Sequence, residues 1–261
     1  MIRATSHIHS VLLACLTTIL LTACCEKAPS QEPEISAAKP APPVSISEKK
    51  SNFFAYLNPM IKEANNEVLS QRKKLLSMQS DLPELSRSQK KYLAELSKTY
   101  RVDSTLPSEQ QISLLARKIN TIPASLILAQ AANESAWGTS RFAQEGNNYF
   151  GQWCFSKGCG IVPNSRNEGA GHEVASFDSP LDSIKSYIRN LNRHVTYKEL
   201  RSLRQKAVSQ GKSPSGESLA KGLVGYSERG EEYVKEIQNM IRYNKLSRFD
   251  TGSSEKKASS N

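Results

Sequence analysis

Apolar residues recur at Phe54, Leu57, Ile61, Ala64, Val68, Leu75 and Met78, close to a 3.6-residue period, with Lys, Arg and Glu between them. This spacing predicts an amphipathic helix from Phe53 to Gln79, bent at Pro59. A second helix is expected over Ser88 to Tyr100. A third follows Pro107-Ser108-Glu109, with Ser108 as its cap and Ile112, Leu114, Leu115 and Ile119 facing inward. The pattern then changes, because almost every position of Ala124 to Ala136 is apolar or small, which predicts a helix buried all round. Thr121 is the expected N-cap, Pro123 fits the first turn and Gly138 suits a left-handed terminator. Two β-like runs, Gly160-Ile161-Val162 and His172 to Phe177, flank Glu168-Gly169-Ala170-Gly171 and predict a hairpin. Ser179-Pro180 opens a helix carrying Leu181, Ile184, Tyr187, Ile188 and Leu191, and the last helix runs from Glu231 to Leu246. The pattern describes a mainly helical α+β domain with one small hairpin.

The ends of the chain do not share this pattern. Residues 1–23 read as a secretory signal, with Arg3 ahead of the apolar stretch Val11 to Leu21. That stretch ends in Leu21-Thr22-Ala23-Cys24, which resembles the bacterial lipobox and implies that Cys24 is lipidated and becomes the first residue. Glu26 at the third position, with no Asp at the second, directs such a lipoprotein to the outer membrane, facing the periplasm. Residues 24–50 then form a disordered tether, with Pro29, Pro33, Pro40, Pro42 and Pro43 among Ser, Ala, Lys and Glu. The remaining divisions are a helical segment at 51–103, a catalytic domain at 104–249 and a frayed polar tail at 250–261. Export leaves Cys154 and Cys159 as the cysteine pair of the body, five apart and expected to form a disulfide; a zinc half-site with His172 is the alternative. The formal charge of +10 favours an anionic partner: nucleic acid, anionic lipid or a wall polymer. An exported protein excludes the first.

Within Leu126 to Gly138 the only ionisable residue is Glu134. It falls in the last turn of the buried helix, where the helix dipole disfavours a carboxylate and Trp137 and nearby aliphatics desolvate it. Both effects raise its pKa, the condition for a carboxylic acid to hold a proton and give it to a leaving oxygen. An exposed Glu at a helix end without a role is the alternative reading.

Leu128-Ala129-Gln130-Ala131-Ala132-Asn133-Glu134-Ser135-Ala136-Trp137-Gly138, followed by Gly146-Asn147-Asn148-Tyr149-Phe150-Gly151, resembles the AQAALESGWG…NNLFG signature of the glucosaminidase-domain family, glycoside hydrolase family 73. Phe177 to Tyr187 resembles the family's aromatic-x-S-x-x-[DE]-S-I-x-x-Y segment. Gly225-Tyr226-Ser227 with Tyr233 resembles its C-terminal YATDPxY pattern, with Glu228-Arg229-Gly230 replacing the usual acid and proline. Trp153-Cys154…Cys159 and Val162-Pro163…His172-Glu173 are most similar to the Bax-like branch of that family.

The resemblance implies a lysozyme-like fold with a cleft beside the hairpin, and a hydrolase acting on a β-1,4 bond of peptidoglycan or a related N-acetylglucosamine polymer. It puts Glu134 in the place of the catalytic acid. The family's second carboxylate sits on the hairpin, where this chain offers Glu168 and Glu173, and Glu173 is preferred; substrate N-acetyl participation is the alternative. Tyr187 and Tyr226 match tyrosines of the cleft. Asp182 is a candidate for substrate contact or for helix support, and Asn148, with Tyr149 and Phe150, for sugar contact or a turn. Trp137 and Trp153 are candidates for stacking on sugar rings, packing being the equal alternative. His172 and His194 have no metal-ligand spacing and no phosphate-binding glycine pattern occurs, so neither metal nor cofactor is expected. The rival functions are a lytic transglycosylase or muramidase on the same fold, and a wall-binding lipoprotein without catalysis.

Overall fold

The computed structural model describes residues 45–250 apart from 165, 167, 168 and 170. The signal, Cys24, most of the tether, Glu168 and residues 251–261 lie outside the described residues. Helix α1, Ile46–Ser77, begins five residues before the expected end of the tether, because Ser45 caps it by accepting the Glu48 N–H. Pro59 lies inside α1. Helix α2, Arg87–Tyr100, starts at a reciprocal capping box of Ser86 and Gln89. Helix α3, Ser108–Lys118, takes Pro107 rather than Ser108 at its cap position. Ile112, Leu115 and Ile119 are buried as expected, whereas Leu114 is largely exposed. No helix among the described residues is long and apolar enough to cross a membrane.

The segment 51–103 is not a separate domain. The second half of α1, with Leu75, builds one apolar cluster with Leu93, Leu96, Ile112 and Leu115 of α2 and α3. Its first half, with Phe53, Phe54, Leu57 and Ile61, belongs to the main core around helix α4, Ala124–Glu134. Every residue from Ala124 to Ala132 is buried. Each of Leu126, Ile127 and Leu128 has no exposed surface, and burial of side chains this size stabilises by about 1.5–3 kcal/mol apiece.

Five further α-helices, α5 to α9, follow α4 among the described residues. Helix α5, Arg141–Gly146, leads to a three-stranded antiparallel sheet of β1, Trp153–Cys154, β2, Gly160–Ile161, and β3, Glu173–Ala175, in the order β1-β3-β2. The expected hairpin is the β2–β3 pair, and β1 is an added strand on its other side. Gly160 is required there, since a Cβ would fall 2.0 Å from the Val174 carbonyl oxygen. The Cys154–Cys159 disulfide closes the β1–β2 loop. Helix α6, Pro180–Arg193, is followed by α7, Lys198–Ser209, α8, Gly216–Ala220, and α9, Glu231–Tyr243. The architecture is the mainly helical α+β, lysozyme-like one.

The N-terminus of α4 is capped from far along the chain. Thr121 does not cap it and Pro123 has no side chain to do so. Instead the Asp250 carboxylate accepts both the Ser125 N–H, at 2.8 Å, and the Ser125 hydroxyl, at 2.7 Å. Asp250 is therefore part of the fold rather than of a frayed tail. Its negative charge also faces the positive end of the helix dipole. Asp250→Ala strands two donors of the fully buried Ser125, and should lower the unfolding free energy by about 2 kcal/mol, read as a lower urea midpoint with an unchanged slope.

Candidate active site

Helix α4 stops at Glu134 and the backbone then passes through three left-handed residues in succession, Ala136 at φ 49°, Trp137 at φ 61° and Gly138 at φ 79°. Left-handed geometry costs a non-glycine residue on the order of 1 kcal/mol or more, so two such residues together need support from outside. Ser135 provides part of it: its hydroxyl donates to the Ala131 carbonyl at 2.6 Å and accepts the Gly138 N–H at 2.7 Å. Trp137 provides the rest by packing edge-on against Phe53 and Phe54 of α1, with Lys50 Nζ 4.8 Å above its ring. The abrupt stop leaves the Glu134 side chain at the helix end, half-buried.

The two carboxyl oxygens have different surroundings. Oε1 accepts the Tyr233 hydroxyl of α9 at 2.7 Å and the Asn133 amide at 3.3 Å. Oε2 has no hydrogen bond among the described residues and faces Gly151, where a Cβ would come to 3.9 Å. Gly151 has φ 61°, so the turn closes against the carboxyl group only with glycine there. Burial raises the Glu134 pKa and is the largest influence, while the bonds from Tyr233 and Asn133 pull it down. Burial prevails. A neutral Glu134 would thus carry its proton on Oε2, the oxygen turned away from the donors.

Behind Oε1 runs an aligned chain of hydrogen bonds. The fully buried Tyr187 donates its hydroxyl to Gln130 Oε1, Gln130 Nε2 donates to the Tyr233 hydroxyl at 2.8 Å, and Tyr233 donates to Glu134. Tyr187 therefore reaches the acid through two intermediaries rather than by touching substrate, a correction to its place among the catalytic residues. It is stacked on Phe150, ring centroids 4.1 Å apart. Tyr226 stacks on Tyr233 at 5.4 Å and donates to the Phe150 carbonyl at 2.8 Å, tying the turn before Gly151 to α9. Gln130 and Tyr233 were given no site role from the sequence, although both lie in the motifs quoted above, Tyr233 at the end of the YATDPxY-like segment and Gln130 four residues before Glu134 on the same helix face.

Several expected sugar contacts serve the scaffold. Asn148 is buried and uses its amide on the Gln152 and Ala175 carbonyls and on the Phe150 and Gln152 N–H groups, the turn role. Tyr149 and Phe150 are core residues. Asp182 is exposed and forms the first turn of α6 with Ser179, whose hydroxyl donates to it at 2.6 Å. Trp153 is exposed and stacked on His172 at 4.4 Å, so it presents a ring face to solvent. Glu173 is not free for catalysis: it accepts the N–H groups of Gly158 at 3.0 Å and Gly160 at 2.8 Å, which hold its pKa below the ordinary value. Its carboxylate lies close to both cysteine sulfurs, but the disulfide consumes the thiols and rules out the zinc half-site. On the other side of Trp137, a groove of about 730 Å³ runs along α9 between Lys50, Tyr243, Arg229 and Glu236. Arg229 pairs with Glu236 at 2.6 Å, and both act electrostatically on Glu134.

Glu134 thus stands at the end of a buried helix, backed by Tyr233 and beside the glycine turn at Gly151. The family model described as mannosyl-glycoprotein endo-beta-N-acetylglucosaminidase matches residues 110–246, over half the chain, and the protein belongs to this glucosaminidase family. It is also similar to Protein bax of Escherichia coli (strain K12), with 28% identity over 197 residues, 75% of this chain and 70% of that protein. The Bax-like branch is where it stands in the family.

Tyr233→Phe removes the hydroxyl that favours ionised Glu134, so the Glu134 pKa should rise further. The alkaline limb of the pH–rate profile should move to higher pH. Because the raised native pKa favours the protonated fold, the stability contribution is complete below the unfolded value of 4.5 and disappears as pH climbs through the native one. Melting temperatures measured across pH should show that decline in the wild type and not in Glu134→Gln.

Proposed function

We propose that the protein is a peptidoglycan hydrolase that cleaves a β-1,4 bond of the N-acetylglucosamine-containing glycan, an endo-β-N-acetylglucosaminidase, with Glu134 as general acid. The observation that supports this reading is the division of labour within one carboxyl group: Oε1 is held by Tyr233, while Oε2, beside Gly151, accepts no hydrogen bond among the described residues. The Oε2 proton passes to the glycosidic oxygen as its bond to the anomeric carbon breaks, and a water molecule bonds to that carbon, its released proton returning through solvent to the carboxylate. The carboxylate left behind keeps the Tyr233 bond, and the Gln130 amide and Tyr187 hydroxyl reinforce it. A positively charged protein suits a polymer rich in carboxylates. With Glu173 committed to backbone amides, Glu134 acts without it, which keeps in view a lytic transglycosylase that also needs a single Glu. The mass of the released ends separates the two, since only the transglycosylase product lacks the added water.

On purified sacculi, Glu134→Gln should lose about 10²–10⁴-fold in release of soluble fragments while binding as before. Glu173→Gln should keep most of the activity and loosen the sheet instead. A wild type that binds sacculi and releases nothing would establish the non-catalytic reading, and an active Glu134→Gln would remove the acid from its role.

We further propose a lipoprotein anchored through Cys24 in the outer membrane, facing the periplasm. The disulfide supports export, because such bonds persist in oxidising compartments. Cys24→Ser should shift the protein from the membrane to the soluble fraction or leave it unprocessed; a processed and membrane-bound variant would refute the anchor.

A further inference from the structure

At the end of α4 away from Glu134, helices α1, α3 and α7 enclose a cavity of about 410 Å³ lined by Arg72, Arg117, Arg201 and Arg204. None of the four is in an ion pair among the described residues, whose salt bridges lie elsewhere. Arg204 is almost wholly buried and donates to the carbonyls of Arg117, Lys118, Asn120 and Thr121 and to Asn192 Oδ1. Arg72 caps the Ala116 and Ile119 carbonyls, and Arg201 donates to those of Leu191 and His194. These bonds satisfy geometry at the C-terminal ends of α3 and α6 without balancing the charge. A helix end offers roughly half a negative charge, so two of them offset about one of four positive charges.

Burial and the neighbouring Arg201 and Arg72 push the Arg204 pKa down to about 9, and the groups that act on it electrostatically are two arginines and Tyr100. The cost of concentrating these cations is relieved by an anion. A carboxylate occupies one guanidinium fork, whereas a phosphate group with its three terminal oxygens accepts from several at once. The volume admits a phosphate with a small attached group. Helix α4 has 11 residues, so the cavity lies roughly 16 Å or more from Glu134 and is a separate site.

We propose that this cavity binds a phosphate-bearing anion through Arg72, Arg117 and Arg201, with the charge of the backbone-bound Arg204 behind them, independently of glycan cleavage. The shared chemistry is a phosphate group, carried by a soluble molecule or by a phospholipid headgroup. Isothermal titration of the purified protein with inorganic pyrophosphate should give saturable one-to-one binding. Arg117→Gln, an exposed side chain whose loss leaves the fold intact, should weaken it about tenfold or more. Arg201→Lys, which keeps the charge and loses the fork, should weaken it too. Glu134→Gln should bind as the wild type does, so failure here and failure of the glycosidase reading are distinguishable. Co-flotation with phosphatidylglycerol vesicles that is competed by pyrophosphate and abolished by both arginine substitutions would assign the lipid source; pyrophosphate binding without flotation would assign a soluble one. Absence of binding, or equal binding by wild type and both arginine variants, would overturn the proposal and leave the arginines as helix caps.

Discussion

The buried amide of Gln130 is the constraint around which the site is organised. Helix α4 has no solvent face from Ala124 to Ala132, so a polar side chain placed there must find its partners inside the protein or destabilise the core by several kcal/mol. Gln130 finds them in Tyr187 and Tyr233, from α6 and α9. Satisfying that amide fixes the position of two helices relative to α4 and orients the Tyr233 hydroxyl toward Glu134. The same bonds that complete the core therefore direct a donor at the acid. Fold and chemistry share one set of atoms here.

The strained turn after Glu134 has the same dual character. Its left-handed Ala136 and Trp137 are sustained by Phe53 and Phe54, which belong to the N-terminal helix rather than to the segment matched by the family model. Residues that looked like an appendage complete the wall of the site. In the sheet, the Glu173 carboxylate holds the Gly158–Gly160 turn while the disulfide closes the same loop, giving strands of two or three residues internal support.

The legible parts of the sequence were those in which local pattern and tertiary demand agree. Helix α6 announced itself through Ser179-Pro180 and an apolar face, and the α4 run of small and apolar residues could only be buried. The acid at its end stood out because nothing else there ionises. Strand β1 was not legible, since Trp153-Cys154 is too short for alternation and pairs with a strand some twenty residues on. Asp250 reads as one more polar residue near a terminus, and its partner Ser125 is 125 residues away. Glu173 has the same local sequence whether it meets substrate or backbone amides. For Tyr187, periodicity reports only which face it occupies, and a tyrosine on a buried face can end in a cleft or in a hydrogen-bond chain.

Helix α1 gives the site a mechanical connection. It enters the described structure at Ser45, and within three turns its Phe53 and Phe54 rest on Trp137, three residues from Glu134. Tension applied to the chain ahead of Ile46 would be delivered along a continuous helix into the packing that sustains the left-handed turn.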